Sequence, residues 1–127
     1  MSPLQLTQLG QVSVPVKDLS RAVAFYRDTL ELPLLFQTGN MAFFQLGAVR
    51  LLLSFAENAE FDHPSSVLYY SVPDIHTAYE LLRSRNVPLL GEPHAIGRLG
   101  DRETWMAFFR DSENNVMAIM SEVPVSD

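Results

Sequence analysis

The sequence predicts an α+β fold assembled from two copies of a β-α-β-β-β module, which together supply eight strands and two helices. Two observations predict it. A helical pattern that begins at Asp18 occurs again at Asp74, 56 residues later. Each copy of the pattern is preceded by one short segment with strand character and followed by several more.

The repeated pattern has the spacing of an amphipathic helix. In each copy an aspartate that can cap a helix precedes apolar residues at i, i+3, i+4 and i+7, which form one helical face. The first copy reads Asp18, Leu19, Ala22, Val23, Tyr26, and the second reads Asp74, Ile75, Ala78, Tyr79, Leu82. We therefore predict helices near residues 19–30 and 75–85.

Strand candidates surround each helix. In the first module they are residues 11–16, 34–38, 41–46 and 49–55, and in the second they are residues 67–72, 88–90, 104–110 and 116–121. A longer loop, residues 91–103, shifts the last strand of the second module to an offset of 66 residues. Long loops often carry functional residues, and the role of this one stays open.

The chain length of 127 residues predicts one domain, residues 1–127. Module one spans about residues 9–56, a linker spans 57–65, and module two spans about 66–122.

Charge and composition exclude several classes of function. The net charge of −6 and the pI of about 4.9 disfavour nucleic acid and anionic membranes as partners. The chain has no cysteine, which excludes disulfides, thiolate nucleophiles and Cys-ligated zinc. Residues 1–16 lack the pattern of a secretory signal, and no apolar run approaches about 18 residues. We therefore expect a soluble, cytoplasmic protein.

Several motifs resemble a known family. The segment QVSVPVKDL at residues 11–19, followed by AFYRD at 24–28, resembles the opening of vicinal-oxygen-chelate proteins, the glyoxalase/bleomycin resistance protein/dioxygenase superfamily. The segments WMAFFRD at 105–111 and FFRDSENN at 108–115 resemble the closing strand and turn of the same family. The resemblance runs from about Leu9 to Glu122. It implies an eight-stranded mixed sheet that forms a concave cup, and a homodimer.

The same resemblance identifies four positions at which the family's metal enzymes place ligands. These positions are Gln11, Leu52, Val67 and Ala118. Only Gln11 carries a donor atom, whereas a divalent cation needs several O or N donors at one point. We therefore predict no metal and no cofactor.

Strand alternation predicts which residues line the cup. One side collects Gln11, Ser13, Arg50, Leu52, Ser54, Val67, Tyr69, Ala118 and Met120, and the residues between them face the helices. Among the aromatic residues, Trp105, Tyr69, Phe36 and Phe44 are candidates to line it. His94, in the long loop beside several charged residues, is the candidate for acid–base chemistry. The predicted ligand-binding residues are Gln11, Ser13, Arg50, Leu52, Val67, Tyr69, His94, Trp105, Ala118 and Met120.

The family contains metal enzymes and metal-free proteins that bind bleomycin-type antibiotics, so the fold leaves the function open. The residues favour a metal-independent protein that binds a small molecule. One alternative is a lyase, isomerase or dioxygenase-type enzyme that uses His94 and acidic residues of the loop, or a metal site unlike the family's. Another is an interaction module without a ligand. The ligand itself cannot be identified from the sequence.

Overall fold

A computed structural model describes residues 4–56 and 58–125, without the side chain of Leu99. The chain divides between Ser65 and Ser66 into two compact units, here called unit one and unit two. Each unit contains one β-α-β-β-β module with its own four-stranded mixed sheet. The α+β class and the two predicted modules are therefore confirmed, with the eight strands distributed over two sheets.

Unit one begins with β1 (Gln11–Pro15) and helix α1 (Leu19–Ala24), which continues as a π-helical turn (Phe25–Thr29). Three strands follow, β2 (Leu34–Gln37), β3 (Met41–Leu46) and β4 (Val49–Ser54). The strand order is β1-β4-β3-β2, in which β1 runs parallel to β4 and the other pairs are antiparallel. A short 3-10 turn (Ala59–Phe61) follows the sheet.

Unit two repeats this arrangement with β5 (Tyr69–Ser71), helix α2 (Ile75–Ser84), β6 (His94–Leu99), β7 (Arg102–Arg110) and β8 (Val116–Pro124). The strand order is β5-β8-β7-β6, again with one parallel pair, β5 and β8. Strand register confirms the predicted offsets of 56 and 66 residues. Ser13 pairs with Leu52 in unit one, and the residues 56 and 66 positions later, Tyr69 and Ala118, pair in unit two.

Both predicted helix caps are present. The Asp18 carboxylate accepts a hydrogen bond from the Arg21 amide at 3.1 Å. The Asp74 carboxylate accepts one from the His76 amide at 3.1 Å and one from the Thr77 hydroxyl at 2.9 Å. These caps satisfy amide groups that have no partner within the helix, and the Thr77 and His76 donors lower the pKa of Asp74.

The core of each unit lies between the sheet and its helix. In unit one the predicted helical face, from Leu19 to Tyr26, is buried on the sheet, and the rings of Tyr26 and Phe44 are 6.2 Å apart. In unit two Ile75 and Leu82 of α2 are buried, as are Ala107, Phe109, Met117 and Ile119 on alternating positions of β7 and β8. Phe44, Leu51, Leu53 and Met117 have no exposed surface.

The prediction that residues 91–103 form a loop is wrong for most of this segment, because strand β6 (His94–Leu99) lies within it. The additional residues of unit two lengthen the β6–β7 hairpin, which turns at Gly100 and Asp101. The predicted strand at residues 88–90 is reduced to one bridge between Leu89 and Phe109. Strand β6 is exposed and its pairing shifts register between Ala95 and Gly97, so it lacks the regular alternation that identifies a half-buried strand.

Within residues 4–56 and 58–125, no helix has the length and apolar character needed to span a membrane.

Candidate functional site

In each unit one face of the sheet is covered by the unit's own helix. The other face is here called the helix-free face of that unit. Residues that pair across neighbouring strands share a face, so register assigns each side chain to one of the two.

The helix-free face of unit one carries an aromatic pair beside an arginine. The rings of Phe36 and Phe43 are stacked, with centroids 4.7 Å apart, and the Arg50 guanidinium carbon lies 5.6 Å from the centre of the Phe43 ring. An arginine at this distance from a ring makes a cation–π contact. In the described part of the chain, Arg50 forms no ion pair with a carboxylate. Its charge is therefore available to an incoming anion.

Polar side chains border this arginine. Gln11 pairs with Arg50, and Ser13 pairs with Leu52 on the same face. Gln11, Ser13 and Arg50 are exposed, whereas Leu52 is half-buried. The predicted residues of unit one therefore lie on one surface, which offers amide, hydroxyl and guanidinium groups next to two phenyl rings.

The helix-free face of unit two carries a second aromatic group. Tyr69 and Phe108 both pair with Ala118, and their rings meet edge to face at 6.1 Å. The His94 ring lies 6.3 Å from the Phe108 ring. Met106 pairs with both His94 and Met120, which extends the apolar surface. The structure thus brings together the predicted residues His94, Tyr69, Ala118 and Met120, with Val67 just before β5 and 40% exposed.

Two predicted aromatic candidates lie on the wrong face. Phe44 is fully buried on the helix side, and Trp105 shares that side in unit two, where its ring is 5.4 Å from His76 of α2. Their neighbours Phe43 and Phe108 occupy the helix-free faces instead, and neither was among the predicted site residues. A shift of one residue in a strand exchanges its two faces, so the strand register decides between adjacent aromatic residues.

Ala118 was predicted to contact a ligand, but its position in the sheet prevents this contact. It has no exposed surface, since it lies in the strand between Tyr69 and Phe108. A ligand on this face would therefore touch the two rings rather than the Ala118 methyl group.

His94 lies at the start of strand β6 and contacts a backbone carbonyl of the predicted loop. Its Nδ1 lies 3.1 Å from the Glu92 carbonyl oxygen. A carbonyl oxygen only accepts, so Nδ1 is the donor in this contact. Glu103 lies on the opposite face of the sheet, where its carboxylate accepts a hydrogen bond from the Trp105 indole at 2.8 Å. Among the acidic residues of the predicted loop, Glu103 therefore lies away from His94.

The residues at the family's metal-ligand positions do not fit a divalent ion. Strand register supports the internal equivalence of Gln11 with Val67 and of Leu52 with Ala118. Three of these four side chains have no donor atom. Across the residues that the structure describes, no group of three or more His, Asp or Glu side chains could hold a metal ion.

Comparison with known proteins identifies the family. A family model described as Glyoxalase/Bleomycin resistance protein/Dioxygenase superfamily matches residues 8–119. The chain belongs to this superfamily. It is 29% identical to the Bacillus subtilis (strain 168) protein YraH over 129 residues, which cover 88% of this chain and 96% of that protein.

Solved structures share the fold at lower identity. Virulence protein STM3117 from Salmonella typhimurium has a TM-score of 0.77 at 19% identity, over 94% of this chain and 100% of that one. TnmS3, an antibiotic binding protein from Streptomyces sp. CB03234, has a TM-score of 0.73 at 22% identity, over 96% and 99%. Lactoylglutathione lyase from Agrobacterium tumefaciens has a TM-score of 0.70 at 18% identity, over 92% and 95%. These likenesses show the fold, which in this superfamily supports both binding proteins and enzymes.

Proposed function

We propose that this protein binds a small molecule without a metal, through the helix-free faces of its sheets. The observation that carries the proposal is the group of Arg50, Phe36 and Phe43. The Arg50 guanidinium lies over the Phe43 ring, which stacks on Phe36, and it has no carboxylate partner among the described residues. Small-molecule sites commonly combine an aromatic or apolar lining with a few polar groups that orient the ligand. The apolar residues Leu52, Val67 and Ala118 at the metal-ligand positions support the metal-free part of the proposal.

The chemistry of these surfaces favours a ligand with a flat apolar body and an anionic group. The body would stack on Phe36 and Phe43, and the anion would pair with the Arg50 guanidinium. Gln11 and Ser13 would donate hydrogen bonds beside it. Tyr69, Phe108 and Met120 offer a further apolar surface in unit two. The similar Streptomyces protein TnmS3 is an antibiotic binding protein, which is consistent with this ligand class.

A second candidate function is proton transfer by His94. In the neutral imidazole, the hydrogen bond from Nδ1 to the Glu92 carbonyl makes Nε2 the base, and the ring lies beside Phe108 on the helix-free face. An isomerase or lyase of this kind would need His94 for turnover. It would convert its ligand, whereas a binding protein would release it unchanged.

We also propose that the protein is a cytoplasmic homodimer. Each sheet ends in two edge strands, β1 and β2 in unit one and β5 and β6 in unit two. Edge strands have unpaired backbone groups that favour pairing or covering. The exposed apolar residues Leu35 on β2 and Ile96 on β6 support an interface at such an edge.

Removal of the Arg50 charge is expected to weaken ligand binding without unfolding the protein. A thermal-shift screen of aromatic carboxylates, antibiotics and metabolites, run with and without EDTA, would identify a ligand whose binding is independent of metal. Arg50→Gln should then reduce its affinity by about tenfold or more, because a charge-assisted contact is lost.

Arg21→Gln is the matched control, since Arg21 is exposed on helix α1 and carries the same charge. It should bind the ligand as the unchanged protein does. Equal affinity of Arg50→Gln and Arg21→Gln for the ligand, or a ligand whose binding EDTA abolishes, would contradict the proposal. Ligand conversion that His94→Gln abolishes would support the enzyme instead.

A further inference from the structure

Three side chains with soft or nitrogen donor atoms lie in one row across the helix-free face of unit two. Met106 of β7 pairs with His94 of β6 on one side and with Met120 of β8 on the other. Residues that pair directly across neighbouring strands point to the same face, with Cβ atoms about 4.5–5.5 Å apart. One imidazole and two thioether sulfurs therefore lie side by side, in a group here called the Met–His row.

The Met–His row is accessible from solvent. His94 is exposed, and Met106 and Met120 are each half-buried. Helix α2 packs on the other face of the sheet, so it does not cover the row. Methionine is unbranched and has three rotatable bonds, which lets its sulfur adjust to a neighbouring group. Both thioethers can therefore turn toward an ion above the middle strand, where the imidazole can also reach it.

The hydrogen bond of His94 is a second observation that points to a metal ligand. Its Nδ1 donates to the Glu92 carbonyl oxygen at 3.1 Å, so in the neutral imidazole Nε2 carries the lone pair. Histidines that bind a metal almost always donate their other ring N–H to a carbonyl, a carboxylate or water, which fixes the tautomer and the ring orientation. The contact with Glu92 thus prepares Nε2 to bind an ion.

Aromatic rings border the Met–His row on one side. The His94 ring lies 6.3 Å from the Phe108 ring of β7, so the imidazole leans over the sheet rather than away from its edge. Phe108 in turn meets Tyr69 edge to face at 6.1 Å. Aromatic rings attract cations, and they keep water from one side of the row. The surroundings therefore favour a weakly hydrated cation.

The donor atoms of the row select the kind of cation. Thioether sulfur is a soft ligand that selects Cu(I), and imidazole also binds copper, whereas hard divalent ions prefer oxygen donors. Among the residues that the structure describes, no group of three or more His, Asp or Glu side chains could hold a metal ion. The row therefore suits a soft monovalent ion and lacks the donors that Zn²⁺ or Mg²⁺ needs.

We propose that the Met–His row binds one Cu(I) ion, through His94 Nε2 and the sulfurs of Met106 and Met120. The row differs from the four positions at which the family's metal enzymes place their ligands. It also uses neither Arg50 nor Phe43 of unit one, which carry the proposed binding of a small molecule. Either site can therefore be present without the other.

Titration of the full-length protein with Ag(I), a redox-stable substitute for Cu(I), locates the site. In carbon–proton NMR spectra the methyl resonances of Met106 and Met120 should shift until one ion per chain has bound. The methyl resonances of Met41 in unit one and of the buried Met117 should not shift. Zn²⁺ should leave all four unchanged. Cu(I), kept reduced by ascorbate without oxygen, should bind with the same stoichiometry in competition with bicinchoninate.

Variants that remove one donor atom at a time test the composition of the site. Met106→Leu and Met120→Leu remove a sulfur but keep a side chain of similar volume, so the fold should tolerate them. Each should lower the affinity for Cu(I) by about tenfold or more, as should His94→Phe, which keeps a ring without nitrogen. Met41→Leu is the matched control, because Met41 is a half-buried methionine that pairs with Ser54 in unit one. Its affinity for Cu(I) should not change.

The proposal is overturned if Ag(I) shifts neither Met106 nor Met120, or if it shifts the methyl resonances of all methionines alike. It is also overturned if Met41→Leu weakens Cu(I) binding as much as Met106→Leu does. The ligand found in the thermal-shift screen should bind Met106→Leu as it binds the unchanged protein. Failure of the copper site and failure of the proposed function are therefore separate results.

Discussion

Replacement of Phe44 by alanine is expected to lower the free energy of unfolding by about 3–5 kcal/mol. Phe44 lies on β3, has no exposed surface and packs 6.2 Å from the ring of Tyr26 beneath helix α1. Its truncation would remove apolar surface from the core and leave a cavity that the surrounding side chains fill only in part. Since a domain of this kind has only about 5–15 kcal/mol in total, the loss is large.

The neighbouring Phe43 is the matched control, because it has the same side chain in the same strand but lies on the helix-free face. It is half-buried and stacks on Phe36. Phe43→Ala should cost clearly less stability, and it should weaken binding of the ligand found in the thermal-shift screen. Urea denaturation followed by far-ultraviolet circular dichroism measures the free energy of unfolding of both variants. Equal losses of stability for the two variants would show that the assigned faces of β3 are wrong.

Replacement of Asp111 by alanine is expected to destabilise unit two by roughly 2–4 kcal/mol. Asp111 begins the turn between β7 and β8 and is only 5% exposed. Its carboxylate accepts hydrogen bonds from the Glu113 amide at 2.9 Å, the Asn115 amide at 2.8 Å and the Asn115 side chain at 3.2 Å. Without the carboxylate these donors lose their acceptor inside a partly buried turn, which costs more than the hydrogen bonds themselves contribute.

Two further variants show whether the turn geometry causes the loss. Asp111→Asn retains one acceptor oxygen and should cost less than Asp111→Ala. Asp101→Ala changes an exposed aspartate in the other hairpin turn of unit two and should have little effect. Thermal unfolding of the three variants ranks them, and an Asp101→Ala loss as large as that of Asp111→Ala would contradict this account of the turn.

The elements that could be predicted from the sequence are those with a regular period or a local signal. Both helices were found because their apolar residues repeat with the helical period and because Asp18 and Asp74 cap them. The 56-residue offset was found because the same helical face occurs twice, and strand register confirms it at Ser13 and Tyr69. These features depend on residues close in sequence, so pattern alone can identify them.

The features that were missed depend on pairing between strands. Strand β6 is exposed, and its pairing shifts register between Ala95 and Gly97. It was predicted as a loop because neither strict alternation nor an apolar run marks it. The faces of Phe43 and Phe44, and of Trp105 and Phe108, are decided by register, which adjacent aromatic residues do not reveal.

Metal content distinguishes metal-free ligand binding from the metal-dependent binding of related enzymes. Metal-free binding is expected because Gln11 is the only side chain with a donor atom among the four family positions. Protein purified without chelators should contain no stoichiometric Mn, Fe, Co, Ni or Zn by elemental analysis. A stoichiometric metal that Gln11→Ala releases, together with ligand binding that requires it, would contradict the account.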